Sequence, residues 1–180
     1  MMKGFLNKFG AFDLVIIAMM AALGVAVKPI VVALAHIITG PLFIPGGALA
    51  GGFYMMWLVL GAGFVKKRGT ATLIGLVQSI MVIATGVYGT HGIVSLLTYT
   101  LPGLTVDIIL WITRQEPDEK MVMFISGIGA NLCGVILANL VFFRLPMVPL
   151  LLSISAGALS GALGGLLAWL VLMRLRKLNI

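Results

Sequence analysis

Residues 14–27 read LVIIAMMAALGVAV, without a charge or a strongly polar side chain, between Asp13 and Lys28. Taken as a helix over 13–32, the segment has the roughly 20 residues that cross a bilayer core. Similar apolar segments follow at 46–65, 70–86, 91–112, 121–142 and 147–173, each bounded by charge, Pro or Gly. The composition agrees, with 61% apolar residues and 9% charged against about 25% charged in an ordinary soluble domain. A mean hydropathy of +1.19 leaves too few polar side chains to cover a water-facing surface. The predicted fold is therefore all-α: a polytopic membrane protein, residues 1–180 forming one domain of six transmembrane helices. A soluble enzyme, a nucleic-acid binder and a disordered tail are excluded.

The placement of the charges orients this bundle. With the N-terminus inside, Lys3, Lys8, Lys66, Lys67, Arg68, Arg114, Lys120, Arg174, Arg176 and Lys177 all face the cytoplasm. Lys28 and Arg144 alone face outside. Cytoplasmic loops are the Lys/Arg-rich ones, so both termini are expected inside and the first segment is read as a retained span, not a cleaved signal. Cys133 is the single cysteine, which rules out a disulfide framework.

Polar groups within spans are expensive and are functional candidates by default. Counting at ~1.5 Å per residue, Gln78 and Asn131 fall near the midplane, ~15 and ~16 Å from Arg68 and Lys120. Trp57 is also near the midplane, Tyr54, Tyr99 and Asn139 lie in the outer half, and His91 lies at the outer edge. Aromatics and amides gathered in one half suit a cup that stacks a flat ligand and orients it through a few hydrogen bonds. The expected binding residues are Tyr54, Trp57, Gln78, His91, Tyr99 and Asn131, with His36, Tyr88, Asp107 and Asn139 in a second rank. Gln78 and Asn131 read equally as hydrogen bonds between helices, and Tyr88 and Tyr99 as interfacial belt residues. The connection from Lys28 to Gly46, rich in Gly and Pro, is expected to act as a lid. No metal site is expected around the two loop-edge histidines.

Small residues at four-residue spacing let membrane helices approach closely. They occur at Ala18, Ala22 and Ala26, at Ala130, Gly134 and Ala138, and at Gly157, Gly161 and Gly165. Phosphate-binding loops and hydrolase motifs are missing, and Asp107 is the lone intramembrane carboxylate, so no paired-carboxylate chemistry is available.

Length, six helices, internal termini and the stretch Ile17-Ala18-Met19-Met20-Ala21-Ala22-Leu23 together resemble the S components of energy-coupling factor (ECF) vitamin transporters, over essentially the whole chain. The resemblance implies a substrate-binding subunit of an ABC importer in a prokaryotic cell membrane, neither an enzyme nor a carrier of its own ATPase and without a cofactor. It also implies a vitamin-like ligand, a transmembrane coupling subunit docked at Ala18, Ala22 and Ala26, two ABC ATPases, and membrane lipid as surroundings. Residues 40–69 and 107–114 are similar to the class that takes up thiamin or hydroxymethylpyrimidine. Gly75 and Val82 stand where that class would carry carboxylates, which favours a neutral aromatic over a cationic thiazolium. The alternative reading is a stand-alone ion- or proton-coupled transporter or channel that uses Asp107 and oligomerises through the last glycine stripe.

Overall fold

The computed structural model describes residues 8–86 and 92–178. They form six α-helices: α1 (Ala11–Thr39), α2 (Gly46–Val65), α3 (Thr70–Thr85), α4 (Ser95–Thr113), α5 (Lys120–Ala138) and α6 (Met147–Lys177). No strand occurs among the described residues. Five helices are long and apolar enough to cross a membrane, α5 counted with its extension to Phe143, while α3 is shorter at 16 residues. At ~1.5 Å per residue α3 spans ~24 Å, less than the ~30 Å hydrocarbon core. The protein is a multi-pass membrane protein.

The first helix departs from the sequence reading. It continues past residue 32 to Thr39, through Pro29, so Lys28 and His36 are helical residues and no Lys28–Gly46 lid exists. The connection to α2 is reduced to a 3₁₀ turn, Gly40–Leu42, and the short link that follows it. Proline deprives Val25 of its helical hydrogen-bond donor, but membrane helices tolerate that loss where neighbours and local adjustment compensate. Residues 30–39 are apolar enough to carry the helix on. At the other end of the chain the sequence-predicted fifth helix stops at Ala138 and passes into a π-helical turn, Asn139–Phe143.

Helix α2 is central, packed against α1, α3, α5 and α6. Glycines make its closest seams possible: a Cβ at Gly52 would stand 1.8 Å from the Ser160 carbonyl oxygen, and one at Gly164 2.0 Å from that of Gly52. Helices α5 and α6 meet in the same way, since a Cβ at Gly127 would stand 2.3 Å from Gly161 O and one at Gly165 2.2 Å from Met123 O. The stripe Gly157, Gly161 and Gly165 is thus buried inside the chain and is not free to pair with a second copy. Ala18, Ala22 and Ala26 are all exposed, on an apolar face of α1 that includes Val15, Met19 and Ile30.

The two ends of the bundle differ. The end that holds the termini is charged and tied by ion pairs: Lys67 to Asp13 at 2.5 Å, Lys66 to Asp118 at 2.8 Å, and Arg176 to Asp118. There Asp107 of α4 accepts hydrogen bonds from Gly69 N at 3.0 Å, Thr72 N at 2.8 Å and Thr72 Oγ1 at 2.5 Å. Gly69, at the N-cap of α3, has no side chain with which to cap it, so α4 supplies the carboxylate that satisfies its first turn.

Candidate functional site

The far end encloses a cavity of about 270 Å³. Helix α1 contributes Lys28, Val32 and His36, four residues apart and so on one helix face. Pro45 to Ala48 and Tyr54 come from the start of α2, Gly134, Val135 and Ala138 from α5, Asn139 and Phe143 from the π-helical turn, then Leu145, and Ser153 from α6. The small residues at Gly46, Gly47, Ala48, Gly134 and Ala138 leave the space. A π-helical turn is rare and often found at functional sites, and here it carries two wall residues. Asn139 Oδ1 accepts a hydrogen bond from Leu145 N at 2.8 Å, which holds the turn while leaving the amide donors free of that bond.

The polar groups of the wall are Lys28, His36, Tyr54, Asn139 and Ser153 among mostly apolar neighbours. Tyr54 OH donates to Gly47 O at 3.2 Å and Ser153 Oγ to Pro149 O at 2.7 Å. Lys28 Nζ donates to Tyr99 OH at 2.7 Å and lies 4.0 Å from the centroid of the Tyr99 ring and 5.2 Å from that of Tyr54. Both rings turn their electron-rich faces to the ammonium. Among the described residues no carboxylate forms an ion pair with it.

The candidate residues divide into groups. Tyr54, His36 and Asn139 line the cavity, and Tyr99 joins them through Lys28. Trp57 and Gln78 meet one turn further along α1, around Gly24: a Cβ there would lie 2.1 Å from Gln78 Nε2 and 3.6 Å from Trp57 Cδ1. Trp57 Nε1 is buried without a hydrogen-bond partner. Asn131 is fully buried between helices, its Nδ2 donating to Ala48 O at 3.1 Å and Gly157 O at 2.8 Å. It ties α2, α5 and α6 together and is absent from the cavity wall. Asp107 is at the opposite end, occupied as a cap. His91 and Tyr88 lie outside the described residues. Gly75 faces α4 so closely that a Cβ would stand 2.5 Å from Tyr99 O, and Val82 is fully buried, so packing accounts for the missing carboxylates at both positions.

Sequence reasoning placed Lys28 at the outer surface, whereas it stands in the cavity wall. The signal available was its four-residue spacing to Val32 and His36, visible only once the helix is carried through Pro29. Ser153 and Phe143 were missed because nothing local distinguishes them.

A membrane bundle with a small cavity sunk into one end has the form of a transporter subunit. A solved structure described as the crystal structure of an S-component of an ECF transporter has the same fold, with a TM-score of 0.77 at 18% identity over 96% of this chain and 88% of that one. Residues 12–133 match the family described as ABC-type cobalt transport system, permease component, and the chain belongs to that family. The sequence has no match among curated proteins.

Proposed function

We propose that the chain is the substrate-binding S component of an ECF-type ABC importer, taking up a vitamin or vitamin precursor, with thiamin or a hydroxymethylpyrimidine-like aromatic favoured. The observation that carries this is the far-end cavity, walled by Lys28, His36, Tyr54, Asn139 and Ser153 among mostly apolar neighbours. An apolar cavity of about 150 Å³ lodges benzene, so about 270 Å³ suits one substituted ring. The charged residues gathered at the termini end support placing that end in the cytoplasm and the cavity mouth outside. Tyr54, Tyr99, His36 and Asn139 are the proposed ligand-binding group, with Trp57, Gln78 and Asn131 supporting it from deeper in the bundle. The family description names cobalt, but a lysine ammonium in the wall opposes a divalent cation, and among the described residues no three of His, Cys, Asp and Glu gather to hold one. An organic cargo fits these walls better.

The exposure of Ala18, Ala22 and Ala26 supports docking of a coupling subunit on α1, with two ABC ATPases supplying the energy. The purified chain should bind a small aromatic by itself and, in liposomes, transport it only when coupling subunits and ATP are supplied. Mass spectrometry of what copurifies identifies both the molecule and the subunits. Transport by the chain alone, abolished by Asp107→Asn, would overturn the proposal in favour of an ion-coupled carrier.

A further inference from the structure

We infer that Lys28 is the residue that orients the ligand, by donating a hydrogen bond from its ammonium to a lone-pair acceptor, a ring nitrogen or an oxygen, on a one-ring aromatic. The inference rests on the substrate-binding reading above and adds to it the residue and the ligand chemistry.

An ammonium has three N–H donors. Among the described residues Lys28 has one hydrogen-bond partner, Tyr99 OH, although its side chain forms part of the cavity wall. The two tyrosine rings offset part of its charge but accept no second conventional hydrogen bond. The cation therefore stands within a membrane span with unmet donors and no carboxylate beside it. Such a group is costly unless something else completes its shell. By contrast Lys66, Lys67 and Arg176, at the termini end, have carboxylate partners. Among the described residues Lys28 is the one lysine or arginine in the wall of the far-end cavity. Its position is also fixed from two sides, by Tyr99 of α4 and Tyr54 of α2, so the free donors point from a held base. A ring lying against the apolar wall near Val32, Val135 and Phe143 would present its edge to them.

The test uses the full chain in nanodiscs, with hydroxymethylpyrimidine and thiamin, which share a pyrimidine with ring nitrogens, as titrants in calorimetry. Lys28→Met keeps the length and packing of the stem and removes the donors, and Lys28→Arg restores donors. Loss of a charge-assisted hydrogen bond should weaken binding about ten- to a hundredfold in Lys28→Met, with partial recovery in Lys28→Arg. The melting temperature of ligand-free Lys28→Met should equal or exceed that of the wild type, because removing an ammonium with unmet donors from the span offsets the lost Tyr99 hydrogen bond and ring contacts; a lower one together with weak binding would point to a structural role and overturn the inference. Unchanged affinity in Lys28→Met would overturn it while leaving the substrate reading intact. Wild-type protein that binds neither compound would instead refute the substrate reading, and this inference with it.

Discussion

Replacing Asp107 with alanine tests what the lone intramembrane carboxylate does. The substitution leaves Gly69 N, Thr72 N and Thr72 Oγ1 without their acceptor and removes a negative charge from the start of α3. A hydrogen bond to a charged group contributes about 1.5–3 kcal/mol, but three such terms do not add, and Asp107 is only half-buried, so water replaces part of the loss. Removal of a helix N-cap costs about 0.5–2 kcal/mol, which sets the lower bound. We expect a loss of about 2–4 kcal/mol for Asp107→Ala, and about half that for Asp107→Asn, which keeps one acceptor oxygen. Thr72→Val removes the hydroxyl donor alone and should cost about 1 kcal/mol. In the double variant the two losses should fall short of their sum, since both act through one carboxylate. Reversible unfolding in mixed micelles followed by circular dichroism measures all four proteins, while ligand affinity should stay within about twofold of wild type because the cavity is at the other end. Asp107→Ala with wild-type stability would refute the capping argument. Asp107→Asn that keeps stability and ligand binding but abolishes uptake would assign the carboxylate to transport.

Substituting Ala18 and Ala22 with Trp should block assembly with the coupling subunit and leave ligand binding unchanged, as pull-down and calorimetry would show; normal assembly would remove α1 as the docking face. Gly164→Val should prevent folding, because its first carbon already collides with the Gly52 carbonyl, whereas Gly86→Ala, in open space at φ +62°, should cost only about 1 kcal/mol of backbone strain; equal melting temperatures for the two would contradict the packing analysis. Asn131→Leu should destabilise by about 1–2 kcal/mol, in line with the larger interhelical hydrogen bonds measured in membranes. Burial raises the Asp118 carboxyl, but hydrogen bonds from Lys66 and Arg176 outweigh it and hold the pKa below its ordinary value. Its contribution is therefore present above the unfolded-state pKa of about 3.9 and fades as pH falls through the lower folded value. Asp118→Asn should flatten this acid limb, and an unaltered acid unfolding profile would show that the pair contributes nothing.

Several features were legible in the residue string because they depend on local order alone. Apolar runs of span length must be helical in lipid, where every backbone group needs an internal partner, so six helices and their approximate limits follow. The glycine stripe of α6 announced a seam for the same reason: a side chain that is absent lets backbones touch whichever partner is found. Tyr54, Tyr99 and Asn139 were selected as polar groups in the outer half of the bundle, and depth is simply residue count multiplied by rise. Azimuth is different. Asn131 inside α5 and Asn139 just past its end are both amides, yet one binds two carbonyls between helices and the other lines the cavity, a distinction set by which neighbours surround each.

The sequence by itself thus determined a membrane bundle, its helices, the depth of its polar groups and the excess of positive charge at one end, since hydropathy, spacing and charge are properties of the chain read in order. Only the tertiary structure decided that α1 runs unbroken through Pro29, that Lys28 turns between two tyrosines into the cavity, and that Asp107 caps a helix it does not belong to. The last two depend on groups 35 to 71 positions away in sequence, and a partner across that separation exists only after the helices have packed.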